Sequence, residues 1–185
     1  MKLVFGLSGN PPHRGHLDVI RQGLEKYREN ITEVIIVPCK KHPFNKTLND
    51  FHIIEQLNIA FAADVSSILN TNAKMRDVEG YIMGDTGQDV VYSANVVDYL
   101  KLETNEEILL CYGPDNKANF DKFYLKERLI ELTTLFFAEQ KVDIRSTYIR
   151  DAFIKGDNID QYITPSVKKV IEYFGRDIFK MDKTA

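Results

Sequence analysis

The stretch Leu3-Val4-Phe5-Gly6-Leu7-Ser8-Gly9-Asn10-Pro11-Pro12-His13-Arg14-Gly15-His16 decides the fold. Its first five residues form a short apolar run, the signature of a buried strand. Beyond it Leu17, Ile20, Leu24 and Tyr27 recur at helical spacing, and a second apolar run rich in β-branched residues follows at Val34 to Val37. Strand, helix and strand in that order predict a βαβ unit with a right-handed crossover. The expectation is therefore an α/β fold, a Rossmann-like doubly wound parallel sheet flanked by helices.

Further elements extend the pattern. Glu106 to Tyr112 reads as another strand, stopped by the loop residues Gly113-Pro114-Asp115-Asn116, and Leu135 to Glu139 as one more. Asn49 or Asp50 can cap a helix through Ile53, Ile54, Leu57, Ala60 and Phe61, and Ser93 can cap another through Val96, Val97 and Leu100. Near the end Thr164-Pro165 predicts a helix start and Gly175 its stop, with Val167, Val170, Ile171 and Phe174 between them. Between Ser66 and Val91 the periodicity is poor and Gly80, Gly84 and Gly87 interrupt it, so long loops around a short strand are expected there. The 185 residues fit one domain, 1–185, with a helical C-terminal part at about 147–180.

Composition narrows the partners. The 44% hydrophobic and 28% charged fractions are ordinary for a globular chain, and a net charge of −3 with both signs interspersed gives no basic stripe for nucleic acid. No apolar run reaches the length of a membrane span and the start reads as a strand, so a cytoplasmic location with no membrane partner is expected. Cys39 and Cys111 are too few for a disulfide framework and read as small packed hydrophobes. Whether the chain forms a homo-oligomer is left open.

The segment from Ser8 to His16 lies at a strand's carboxyl end and runs into a helix, where open α/β sheets bind ligands. Glycines allow close backbone approach, and the helix N-terminus offers free N–H groups to an anion. His13 and His16 can then point at one anion and stabilise charge on a phosphoryl centre. Two plainer readings compete: a pair of zinc ligands, for which no further ligands at metal spacing appear, and a pair of capping or surface histidines. No Walker loop and no Gly-x-Gly-x-x-Gly fingerprint is present. Near the other end Ser146 or Thr147 can cap a helix carrying Arg150, a second place for phosphates to rest.

Together these segments resemble the nucleotidyltransferase superfamily with a His-x-Gly-His motif, and within it the nicotinate or nicotinamide mononucleotide adenylyltransferases. That family's Gly-Gly-Thr-Phe-Asp-Pro-Ile-His-x-Gly-His aligns without a gap on Gly6 to His16, and its Ser-Ser-Thr-x-Ile-Arg on Arg145 to Arg150. Leu7, Gly9 and Arg145 depart from the pattern, and the family's tryptophan near the pyridine is absent. The resemblance implies an enzyme joining ATP to nicotinate or nicotinamide mononucleotide, releasing pyrophosphate, in NAD biosynthesis. It implies catalytic roles for His13, His16 and Arg150, and ATP contacts from Gly6, Ser8, Asn10, Gly15, Gly113, Asp115, Ser146 and Thr147. Lys46, Ser93, Phe123 and Tyr124 would bind the mononucleotide, the last two either stacking or packing in the helix that carries them. Mg²⁺ would be held by the phosphates, with no protein side chain as metal ligand. The alternatives are a related transferase such as phosphopantetheine adenylyltransferase, or a nucleotide-sensing module without turnover.

Overall fold

The computed structural model describes residues 1–41 and 50–179. Five strands form one sheet: β1 (Lys2–Leu7), β2 (Glu33–Pro38), β3 (Ala73–Met75), β4 (Ile108–Tyr112) and β5 (Thr134–Phe137). Their spatial order is β3-β2-β1-β4-β5 and every pairing is parallel, with Val4 level with Ile35 on one side and Leu110 on the other. The helices in chain order are α1 (Arg14–Tyr27), α2 (Phe51–Leu69), α3 (Val78–Thr86), α4 (Ser93–Glu103), the single turn α5 (Pro114–Lys117), α6 (Lys126–Leu132), α7 (Ser146–Lys155) and α8 (Pro165–Phe174).

The central strands are apolar on both faces because both faces are covered. Leu3, Phe5, Val34, Ile36, Leu109 and Cys111 point to one core, which α1, α2, α7 and α8 close. Val4, Ile35, Val37, Ile108, Leu110 and Tyr112 point to the other, under α3, α4 and α6. No helix of the described residues is long and apolar enough to cross a membrane.

Three local expectations are corrected. The stretch from Ser66 to Val91 holds the expected short strand, β3, but half of it is helical: α2 runs on to Leu69 and ends on Asn70 at φ 49°, and α3 occupies Val78–Thr86. Asp77 caps α3 by accepting the Gly80 N–H at 2.9 Å, Gly87 ends it at φ 70°, and Val78 and Ile82 are buried. Gly80 is thus an adjunct of the cap, not a break. Second, Ser93 is the first residue of α4 and Tyr92 precedes it as the cap position; the Tyr92 N–H donates to the Asn95 side chain at 3.0 Å. Third, Arg145 holds the cap position of α7, and the Ser146 hydroxyl is turned elsewhere. The α8 helix begins after Thr164 and stops at Gly175, φ 73°, as its sequence signals require.

The chain leaves β1 toward β2 on one side, whereas β4 and β5 lie on the other. The connections above β1 and β4 therefore diverge and open a crevice at the carboxyl ends of these strands.

Candidate active site

A cleft of about 1170 Å³ lies at that switch point. Every expected site residue that the structure describes lines it: Gly6, Ser8, Asn10, His13, Gly15 and His16 after β1; Ser93 on α4; Gly113, Asp115, Phe123 and Tyr124 after β4; and Ser146, Thr147 and Arg150 on α7. Lys46 lies outside the described residues.

The two histidines lock each other. His13 occupies the cap position of α1, where its Nδ1 accepts the Gly15 N–H at 3.1 Å, and its own N–H donates to Nδ1 of His16 at 3.2 Å. Their rings stack with centroids 3.7 Å apart. Since each Nδ1 is an acceptor, the proton of each neutral imidazole sits on Nε2. Burial pushes His13 down to about 4 and holds His16 well below its ordinary value, with the charge of neighbouring His13 adding to the effect on His16. At neutral pH the pair is therefore uncharged, a set of two N–H donors and not two cations. Capping and cleft-lining, posed as alternatives by the sequence, are both true of these residues. No three His, Cys, Asp or Glu side chains among the described residues are grouped to hold a metal ion.

The loop before them is held by α7. The Ser146 hydroxyl donates to the Pro11 carbonyl at 2.9 Å, and Arg150 Nη1 donates to the Asn10 carbonyl at 2.5 Å, across 135 and 140 residues of chain. Arg150 also reaches the Thr147 hydroxyl at 3.3 Å. Its guanidinium is half-buried, and burial lowers its pKa from the ordinary value. Ser146 is the first residue of α7, one past the cap position, and its hydroxyl serves the loop at Pro11 instead.

On the β4 side Phe123 packs edge-on against Tyr112 at 5.3 Å and against Phe120 at 5.2 Å. Tyr124, 51% exposed, faces Tyr92 at 4.6 Å. Neither Phe123 nor Tyr124 is on a helix, contrary to expectation: they connect the turn at Phe120–Lys122 to α6. Tyr92 lines the cleft beside Ser93.

Glu79 was missed altogether. It is 7% exposed, lines the cleft from α3, and accepts the Lys40 N–H at 2.7 Å. Burial pushes its carboxyl up to about 7, against the lowering effect of that hydrogen bond. Only a sequence reading that recognised α3 could have placed it. Cys39 also lines the cleft, half-exposed with its thiol beside Glu79, so it is not a simple core residue. Cys111 is one, fully buried, with its thiol pushed up to about 12.

Comparison with known proteins agrees with this fold. The model of the cytidylyltransferase-like family matches residues 5–152. The chain belongs to this family. Among its relatives, the nicotinate-nucleotide adenylyltransferase of Bacillus subtilis is 26% identical, the match covering 93% of this chain and 95% of that protein. A protein of Leptospira borgpetersenii, provisionally named as the same enzyme, is 27% identical over 69% of this chain; the match spans 61% of that relative's length, under two thirds. Among solved structures, one from Vibrio parahaemolyticus provisionally described as a nicotinate-nucleotide adenylyltransferase superposes with a TM-score of 0.74 at 28% identity, over 93% of this chain and 91% of that one.

Proposed function

We propose that the chain is an adenylyltransferase that joins ATP to nicotinate mononucleotide, releasing pyrophosphate and the dinucleotide. One observation carries the reading: a cleft at the sheet's switch point brings two Nε2–H imidazoles after β1 together with Ser146, Thr147 and Arg150 at the start of α7. The names of the Bacillus, Leptospira and Vibrio relatives supply the substrate pair.

In this reading ATP lies along the carboxyl edge of the sheet, its adenosine beside Gly113 and Asp115. The mononucleotide occupies the side of Ser93, Phe123 and Tyr124, with Lys46 as a further contact. An oxygen of the mononucleotide phosphate attacks the α-phosphorus in line. The new P–O bond forms as the bond to the β-bridging oxygen breaks, and pyrophosphate leaves with that electron pair. His13 and His16 donate from Nε2 to the α-phosphoryl oxygens, whose charge is best stabilised where donors are fixed in advance. Their mutual capping supplies that fixity. Arg150 and Thr147 hold the leaving pyrophosphate, and no covalent intermediate with the protein is formed. Mg²⁺ belongs to the proposal as an ion carried on the phosphate oxygens; when bound it neutralises phosphate charge.

Pyrophosphate release with ATP and Mg²⁺, measured against nicotinate mononucleotide, nicotinamide mononucleotide and phosphopantetheine as acceptors, tests the proposal. Release should require an acceptor and be fastest with nicotinate mononucleotide. Preference for phosphopantetheine, or tight ATP binding with no release for any acceptor, would overturn it.

A further inference from the structure

Arg145 is the one residue of the stretch Arg145 to Arg150 that departs from the aligned motif, a cation where the motif has serine. Its backbone is extended at the cap position of α7, φ −126° and ψ 138°, and its side chain makes no cap hydrogen bond. The residue is exposed and lines the cleft beside Ser146 and Thr147. Among the described residues its guanidinium has no hydrogen-bond or ion-pair partner. Asp143, two residues earlier on the same wall, is not one: its carboxylate accepts from Gln140 Nε2 at 3.1 Å.

The neighbouring groups are committed elsewhere. Ser146 gives its only hydroxyl proton to the Pro11 carbonyl at 2.9 Å, and half-buried Arg150 donates to the Asn10 carbonyl at 2.5 Å and to the Thr147 hydroxyl at 3.3 Å. They hold the loop after β1 and have that much less to offer a ligand. His13 and His16 are uncharged at neutral pH, so they add donors without charge. Lys122 also lines the cleft, but it stands after β4, beside the residues read as facing adenosine and the pyridine. The most highly charged part of the reactants, the departing pyrophosphate, is thus left with one uncommitted cation on the α7 side, Arg145.

We propose that Arg145 is a specificity-determining residue for the triphosphate: its guanidinium donates to oxygens of the β,γ-phosphoryl unit of ATP and keeps them when that unit leaves as pyrophosphate. This rests on the adenylyl-transfer reading and deepens it, adding a cation that the aligned motif lacks. A guanidinium suits the task, because its planar fork of N–H donors meets phosphate oxygens two at a time and stays charged at any working pH. The contact exists before and after the P–O bond breaks. It therefore acts on the affinities for ATP and pyrophosphate more than on kcat. A nucleotide that ends at the α-phosphate, such as AMP, gives Arg145 nothing to hold.

The test compares the parent chain with Arg145→Ser, which restores the residue of the motif, and Arg145→Lys, which keeps the charge and loses the fork. Each is titrated by calorimetry with ATP, pyrophosphate and AMP in the presence of Mg²⁺, and its thermal unfolding is recorded without ligand. Arg145→Ser should unfold at the parent's temperature, since it loses no hydrogen bond or ion pair among the described residues. It should bind ATP and pyrophosphate on the order of 10- to 100-fold more weakly, while its affinity for AMP changes by less than about twofold. A general loss of fold would not spare AMP. Arg145→Lys should fall between the parent and Arg145→Ser. Affinities of Arg145→Ser for ATP and pyrophosphate within about threefold of the parent would make Arg145 a solvated charge and overturn the inference. An equal loss for AMP would overturn it as well, because the contact would then lie on the adenosine or the α-phosphate. Pyrophosphate release from ATP by the parent is measured separately. Its absence with every acceptor overturns the adenylyl-transfer reading, whereas the titrations need no turnover and judge Arg145 on their own.

Discussion

At the scale of single residues, His16 and Gly9 separate the chemical from the conformational demands of the loop after β1. His16 lines the cleft, and because its Nδ1 accepts the His13 N–H its proton sits on Nε2. Replacing it with alanine should lower kcat by about 100-fold or more while circular dichroism stays native, because one preorganised donor is lost. Near-parental turnover would remove His16 from the mechanism. Gly9 is one of the positions where the sequence departs from the family motif, and its geometry explains the departure. A Cβ there would lie 2.3 Å from Asn58 Nδ2, on a backbone at φ 51°. Gly9→Ala should destabilise by about 2 to 4 kcal/mol. Adding Asn58→Ala should recover the steric part of that loss and leave the backbone part, which denaturant titration of the single and double variants resolves.

At the scale of elements, what was legible in the sequence was what repeats. The βαβ unit and α8 announce themselves through apolar spacing and end signals such as Pro165 and Gly175. The α3 helix does not: it is nine residues long, buries only Val78, Glu79 and Ile82, and carries two internal glycines. Its existence depends on the Asp77 cap and on packing against α4 and β2, which no local pattern encodes. The site divides the same way. His13, His16, Ser146 and Arg150 sit in contiguous motifs, whereas Glu79 reaches the cleft from an element whose placement had to be known first. The same limit hid the role of Ser146: its sequence position says helix cap, and only the approach of α7 to Pro11 shows where its proton goes. Glu79 gives α3 a test of its own. Glu79→Gln keeps an acceptor for the Lys40 N–H and removes a carboxyl that resists ionisation. The variant should be more stable than the parent at pH 8 by roughly 1 to 3 kcal/mol and about equal at pH 4.5. Unchanged stability at pH 8 would show that the carboxyl is not held in its neutral form.

At the scale of the molecule, buried groups tilt stability in opposite directions with pH, His13 and His16 one way and Glu79 the other. His13 takes up its proton near pH 6.5 in the unfolded chain and only at about 4 in the folded one. The unfolded state binds more protons in between, so this contribution is complete above pH 6.5 and is lost as pH falls toward 4. Glu79 reverses the sign: its folded carboxyl keeps its proton up to about 7 against an ordinary 4.5, so stability is lost as pH rises through that window. The two windows overlap between about 4.5 and 6.5, and a shallow optimum on the acid side of neutrality is expected. His13→Asn, which retains a good helix cap, should make the acid limb shallower, with buried His16 keeping the remainder. Urea midpoints from pH 4 to 8 check this, and an unaltered acid limb would assign it to other groups.

The central claim is direct in-line transfer within a single cleft. Nicotinate mononucleotide whose non-bridging phosphate oxygens carry ¹⁸O, incubated with ATP, Mg²⁺ and the protein, tests it by mass spectrometry of both products. Attack by the mononucleotide phosphate on the α-phosphorus predicts a dinucleotide that retains all of the label and pyrophosphate that carries none. Label in the pyrophosphate, an adenylylated protein, or no dinucleotide at all would contradict it.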